Sequence, residues 1–174
     1  MRLTSGILIS PVIAALVAPA AMATVYLTPD QAIAAIFEGK SDFKASSLTL
    51  TKDQRKTISG STGLTVRDQA IQVWSASNGA RMYIDKVVGK HEFITFAVGI
   101  GADGKVQGVE ILEYKETYGG EIRRPEWRKQ FKGKKLSDSI KLGGDITNIS
   151  GATLSSRSVT DGVKRLLAIR DLPA

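Results

Sequence analysis

Four apolar segments rich in β-branched residues follow one another between residues 70 and 114, and this run constrains the chain more than any other feature. AIQVWSA (70–76) and ARMYIDKVVG (80–89) flank Ser77-Asn78-Gly79. HEFITFAVGI (91–100) and KVQGVEILEY (105–114) flank Gly101-Ala102-Asp103-Gly104. Segments of this kind, joined by a few Asn, Asp and Gly residues that tolerate positive φ, predict antiparallel hairpins. In the last segment Val106, Val109, Ile111 and Leu112 break strict alternation, which predicts a bulge near Gly108. Helix signals lie on both sides. Thr28-Pro29-Asp30-Gln31 offers an N-cap, a proline at the first helical position and a capping-box partner. A second helix is predicted over 52–59, ended by GSTG at 60–63, and a last one from about Ser156 to Arg170. Lys164, Arg165 and Arg170 fall near the C-terminal end of that last helix, where its dipole favours them. The fold class expected is α+β, an antiparallel β-sheet packed with N-terminal and C-terminal helices.

The first residues read as an address. Arg2 is followed by the apolar run ILISPVIAALVAPA (7–20), and Ala21-Met22-Ala23 supplies a small-residue cleavage pattern before Thr24. Residues 1–23 are therefore expected to be a signal peptide, with the remainder exported to the periplasm or another extracytoplasmic space. A retained anchor is the alternative, since no charge lies between Arg2 and Asp30. Pro11 and Pro19 make that stretch a poor continuous helix.

Composition narrows the chemistry. The absence of cysteine excludes disulfides, thiolate metal sites, iron–sulfur clusters and a cysteine nucleophile. A single histidine, His91, argues against a zinc site or a Ser-His-Asp triad. At a strand start beside Glu92, it reads most simply as a surface or hydrogen-bonded residue. Redox chemistry here requires an organic cofactor. Nine basic residues lie between Lys115 and Lys141, opposed by Glu116, Glu121, Glu126 and Asp138. Such a stretch suits an anionic membrane, an acidic partner, a phosphorylated cofactor or simply a solvated face. Export argues against nucleic acid.

The stretch Ser150-Gly151-Ala152-Thr153-Leu154-Ser155-Ser156 precedes an amphipathic helix whose apolar stripe is Val159, Val163, Leu166 and Leu167. Two readings stand side by side. Ser155 or Ser156 is an N-cap after a glycine turn. Alternatively, Thr153 presents a phosphate to free backbone N–H groups at a helix start, with Gly151 and Ala152 leaving room.

The run Ser150-Gly151-Ala152-Thr153 resembles the FMN-binding domain family, which includes covalently flavinylated subunits of the sodium-translocating NADH:quinone oxidoreductase and of the Rnf electron-transport complex. Glu116-Thr117-Tyr118-Gly119-Gly120 resembles that family's Glu-Thr-Pro-Gly loop against the isoalloxazine ring. Gln130-Phe131-Lys132-Gly133-Lys134 resembles the run that follows it. The resemblance covers residues 90 to 170 in order and spacing. It departs at Thr147, where an acidic residue is usual and where Asp145 stands two positions upstream. It departs also at Tyr118, where proline is usual and where the tyrosine would stack on the flavin or cover the core.

Three parts are then expected: 1–23 signal peptide and 24–89 N-terminal helices and first β-hairpin, both read from the residues, and 90–174 the FMN-binding core that the resemblance implies. It implies FMN joined to Thr153 by a phosphoester that a separate flavin transferase installs. Cofactor contacts are then expected from Ser150, Gly151, Ala152, Leu154, Ser155 and Ser156, and from Glu116, Thr117, Tyr118, Gly119 and Gly120. Membrane or periplasmic redox proteins are the expected partners, in electron transfer to an extracytoplasmic acceptor. No residue is expected to be catalytic and no metal is implied. An FMN-dependent reductase with its own small-molecule substrate, or a flavin-free polyanion-binding module, are the alternatives. Trp74 and Trp127 are expected either in the core or beside the flavin.

Overall fold

The computed structural model describes residues 24–39, 42–67 and 69–172. The expected signal peptide, 1–23, lies outside the described residues. The elements run β1 (Thr24–Val25), α1 (Pro29–Ile36), β2 (Lys44–Leu48), α2 (Lys52–Thr62), β3 (Ile71–Ser75), β4 (Arg81–Val88), β5 (Phe93–Ile100), β6 (Val106–Tyr114), α3 (Pro125–Arg128) and α4 (Thr153–Arg170). Six strands form one antiparallel sheet in the order β1-β6-β5-β4-β3-β2. The α+β expectation holds.

The two hairpins form as their turns dictate, β3 with β4 and β5 with β6. The bulge also falls where alternation breaks: Gly99 pairs with Gly108 and Ile100 with Val106, leaving Gln107 extra. A second irregularity, between Thr95 and Phe96, leaves Leu112 extra and turns it to the α1 side. β1 and β2 have no counterpart among the sequence expectations. β2 is KASSL, exposed along nearly its whole length, so no apolar period marks it.

One face of the sheet packs on α4, and the main core lies between them: Ile94, Phe96 and Val98 meet Val159, Val163, Leu166 and Leu167. Gly162 permits that contact, since a Cβ there would stand 2.5 Å from Cζ of Phe96. Asp85 of β4, 4% exposed, accepts hydrogen bonds from Arg165 (2.5 Å) and from the side chain of Gln69 (2.7 Å). Arg165, expected at the C-terminal dipole of the helix, turns instead to the sheet. Arg170 donates to the Ala102 carbonyl at 2.8 Å and ties the far end of α4 to the β5–β6 turn. The other face carries a smaller core around Ala32, Ile33, Ile36 and Phe37 of the α1 segment.

Further local expectations are corrected or decided. α2 continues to Thr62, whose hydroxyl donates to the Ile58 carbonyl (2.6 Å), before Gly63 closes it at φ 72°. α4 begins at Thr153 rather than Ser156. Trp127 is core, 5% exposed and edge-on to Phe131 at 5.2 Å, and Trp74 packs partly buried beside the smaller core.

Candidate functional site at the start of α4

α4 starts without the devices that start α1 and α2. Its N-cap is Ala152, at φ −125° and ψ 24°, with no side-chain cap. Among the described residues, the N–H groups of Thr153, Leu154 and Ser155 meet no acceptor. Both serines expected as the cap lie inside the helix and are buried. Ser156 donates its hydroxyl to the Ala152 carbonyl (2.9 Å), and Ser155 sits 3.2 Å from the Tyr114 hydroxyl. The N-cap reading of Ser155 and Ser156 therefore fails. Thr153 is the first helical residue and is exposed, its hydroxyl accepting from the Asn148 amide at 3.1 Å.

The turn ahead of the helix is held from behind. Asp145 accepts from the N–H groups of Ile140 (3.0 Å) and Lys141 (2.7 Å) and from Lys134 Nζ (2.6 Å). Burial pushes the Asp145 carboxyl upward, but Lys134 and the two amides outweigh it and hold the group below the ordinary carboxylate range. This carboxylate is engaged within the fold by three donors. Thr147 itself is anchored by its backbone, its N–H donating to Gln130 (2.9 Å) and its carbonyl accepting from the Trp127 indole (2.8 Å).

Tyr114, the last residue of β6, joins the second loop to the helix. Its hydroxyl donates to the Tyr118 carbonyl at 2.5 Å, so the Ser155 hydroxyl donates to it in turn. Burial raises the Tyr114 pKa, which keeps the phenol a neutral donor. Gly119 lies directly above. At φ 89° it is in the left-handed region, and a Cβ there would stand 2.7 Å from the Tyr114 hydroxyl and 3.0 Å from the Ala152 Cβ. The 116–120 loop and the 150–155 turn are thus fitted to each other through glycine and tyrosine. Tyr118 points outward, 83% exposed, which excludes the expectation that it covers the core.

Glu116 holds the third wall. Its Oε1 accepts from the N–H groups of His91 (2.6 Å) and Glu92 (3.0 Å) on the β4–β5 turn. Burial again works upward on this carboxyl, and the backbone donors outweigh it, keeping the group ionised below its usual range.

These walls enclose an open cleft of about 650 Å³, within the ordinary size of small-molecule sites. Its lining includes Glu116, Thr117, Tyr118 and Gly119 from one motif and Ser150, Gly151, Ala152, Thr153, Leu154 and Ser155 from the other. Gly120 lines an adjoining hollow with Arg123 and Arg124 instead, and Ser156 is fully buried. Lys90, His91 and Glu121 complete the lining and are not among the site residues the sequence points to. At Gly151 a Cβ would meet nothing within 4 Å, so its glycine answers to φ 81° and leaves the approach to Thr153 open.

The basic stretch divides in two. Lys115 pairs with Glu113 (3.3 Å), Arg128 with Glu110, and Lys134 with Asp145, while Arg123 stacks over the Tyr26 ring at 3.6 Å. Arg124, Lys129, Lys132, Lys135 and Lys141 make no ion pair among the described residues.

Residues 89–168 match the profile of the FMN-binding domain family. A subunit of the ion-translocating oxidoreductase complex of Erwinia tasmaniensis is 37% identical over 92 residues, covering 46% of this chain and 44% of that protein. The corresponding protein of Escherichia coli K12 is 37% identical over 93 residues (47% and 45%), and that of Methanosarcina acetivorans 35% over 81 (44% and 43%). The chain spans under half the length of these curated relatives. The matched segment contains β5, β6, the 116–120 loop, the 150–155 turn and most of α4, which together build the cleft. The similarity to the FMN-binding domain family is thus carried by residues 89–168, under half of the chain.

Proposed function

We propose that the chain is an exported electron-transfer flavoprotein with FMN esterified to Thr153. The observation that carries this reading is the meeting of two sequence-distant motifs on one cleft, with an exposed hydroxyl at the uncapped start of an 18-residue helix. The residues fit the group. A phosphate on Thr153 would lie against free N–H groups at the positive end of α4. Open space at Gly151 admits it, and the cleft beside the 116–119 residues has room for a ring system.

Thr153 acts as acceptor. Its hydroxyl partner, the Asn148 amide, is a donor and takes no proton, so activation belongs to a flavin transferase. In that step the Thr153 oxygen forms the new bond to phosphorus, the anhydride bond of a flavin dinucleotide breaks, and a nucleoside monophosphate leaves. The hydroxyl proton passes to a transferase base. FMN, once bound, supplies reversible electron uptake, and the protein supplies position and electrostatics.

The relatives are named as parts of ion-translocating oxidoreductase complexes, which supports membrane redox partners. The apolar run 7–20 and Ala21-Met22-Ala23 support work outside the cytoplasm, where a lost cofactor is not readily replaced. The test is coexpression with a flavin transferase and a denaturing gel read for flavin fluorescence. Wild type should give a fluorescent band that maps to Thr153, and Thr153→Ala should give none while unfolding within about 1 kcal/mol of wild type. A band surviving in Thr153→Ala, or label mapped elsewhere, overturns the assignment.

A further inference from the structure

We propose that Lys90 sets the reduction potential of the flavin and that Glu116 is the positioning residue that holds Lys90 at the cleft. This rests on the reading that FMN is bound at Thr153. Lys90 belongs to the β4–β5 turn, far from both motifs in sequence, yet it lines the same cleft as Thr153. Among the described residues its side chain makes no hydrogen bond or ion pair, so its charge is not spent within the fold.

The turn that carries it is gripped from one side. Glu116 Oε1 takes the N–H groups of His91 and Glu92 at 2.6 and 3.0 Å, and Gly89 N–H closes the turn on the Glu92 carbonyl at 2.8 Å. The grip is close enough that a Cβ at Gly89 would stand 2.6 Å from Glu116 Oε1. Glu116 Oε1 thus ties the 116–120 loop to the backbone of the β4–β5 turn. Its carboxylate stays ionised and is held by backbone N–H groups, whereas the Lys90 ammonium has no partner among the described residues.

That asymmetry has a redox consequence. A flavin bound here would carry one negative charge on its ring after taking up two electrons and one proton from solvent. A cation across the cleft stabilises the reduced form over the oxidised form and raises the potential. Glu116 and Glu121 line the same cleft and oppose the effect, so Lys90 is the one lysine or arginine of the lining and its removal makes the local field more negative.

The experiment uses flavinylated protein from coexpression with a transferase, titrated spectroelectrochemically at low salt with dithionite as electron donor and mediator dyes. Lys90→Gln should raise the oxidised-to-reduced ratio at fixed potential about tenfold, equal to about 30 mV for a two-electron couple. Lys132→Gln, away from the cleft, should leave it unchanged. In a Glu116→Ala background the Lys90→Gln shift should fall to about half or less. Glu116→Gln keeps an acceptor oxygen and should restore most of that shift. A labelled Lys90→Gln protein with no shift beyond the Lys132→Gln control overturns the electrostatic role while leaving attachment at Thr153 intact. An equal Lys90→Gln shift with and without Glu116 overturns the positioning role. Absence of flavin from the wild-type band refutes the Thr153 assignment first, and this inference falls with it.

Discussion

α1 and α2 begin by one chemistry and α4 by another. Thr28 and Thr51 sit in extended geometry, at ψ 163° and 164°, and each closes a reciprocal capping box with Gln31 or Gln54. α4 is longer than either, yet its N-cap is an alanine at ψ 24° with nothing to offer the first N–H groups. Where a helix end has only to be stable, neutral side chains close it locally. At the cleft the N–H groups stay open, and order is supplied from outside the helix by Tyr114, Glu116 and Asp145. The two kinds of helix start thus differ in where their hydrogen bonds go.

The sharpest way to break this contrast is at Gly119. Gly119→Ala forces a Cβ onto the Tyr114 hydroxyl and a side chain into positive φ, at a cost of about 3 kcal/mol. Urea unfolding should register that loss, and attachment of flavin should fall with it. A neutral effect would mean that the two loops are not fitted to each other.

Next in size is the charge that holds the turn. Asp145→Asn should cost about 2 kcal/mol near neutral pH, since three donors lose an ionised acceptor. The pH dependence follows from the depressed pKa of Asp145 and Glu116. The unfolded forms bind protons first as pH falls, so the stability these groups add is present above about pH 4 and is lost as pH drops through their folded values. Wild type should therefore approach Asp145→Asn in acid. Amide protection, corrected for the intrinsic exchange rate at each pH, should fall there at 89–92 and 140–145, and change less at the neutral caps of α1 and α2. Equal loosening of all these segments would erase the contrast.

Smaller still, Thr28→Ala and Thr51→Ala should each cost about 1 kcal/mol and leave flavin attachment unchanged. Smallest is the reverse substitution. Ala152→Ser should alter stability by less than about 0.5 kcal/mol, because ψ 24° does not aim its hydroxyl at the following N–H groups as an extended N-cap does. A gain near 1 kcal/mol would show that the end of α4 merely lacks a cap.

Much of the architecture is legible in the residue order alone. The central hairpins, the Gly108 bulge and the Thr28 capping box are short-range features, set by residues within a few positions of one another. β2 is not legible, because an exposed edge strand of Lys, Ala and Ser has no face to bury and so no period. The start of α4 misleads for the opposite reason. Ser155 and Ser156 have the local preference of a cap, and burial against Tyr114 and the Ala152 carbonyl overrides it.

The sequence by itself determined the α+β class, the two motifs and the hydroxyl at Thr153, since each depends on residue type and near spacing. Only the tertiary structure decided that Glu116 grips the β4–β5 turn, that Lys90 lines the cleft, and that Asp145 is consumed behind it. Those facts depend on which strand ends the sheet brings side by side. Pairing of β4 with β5 and β5 with β6 brings residues 90 and 116 to the same end of the sheet, and no local pattern encodes a contact made across two strands.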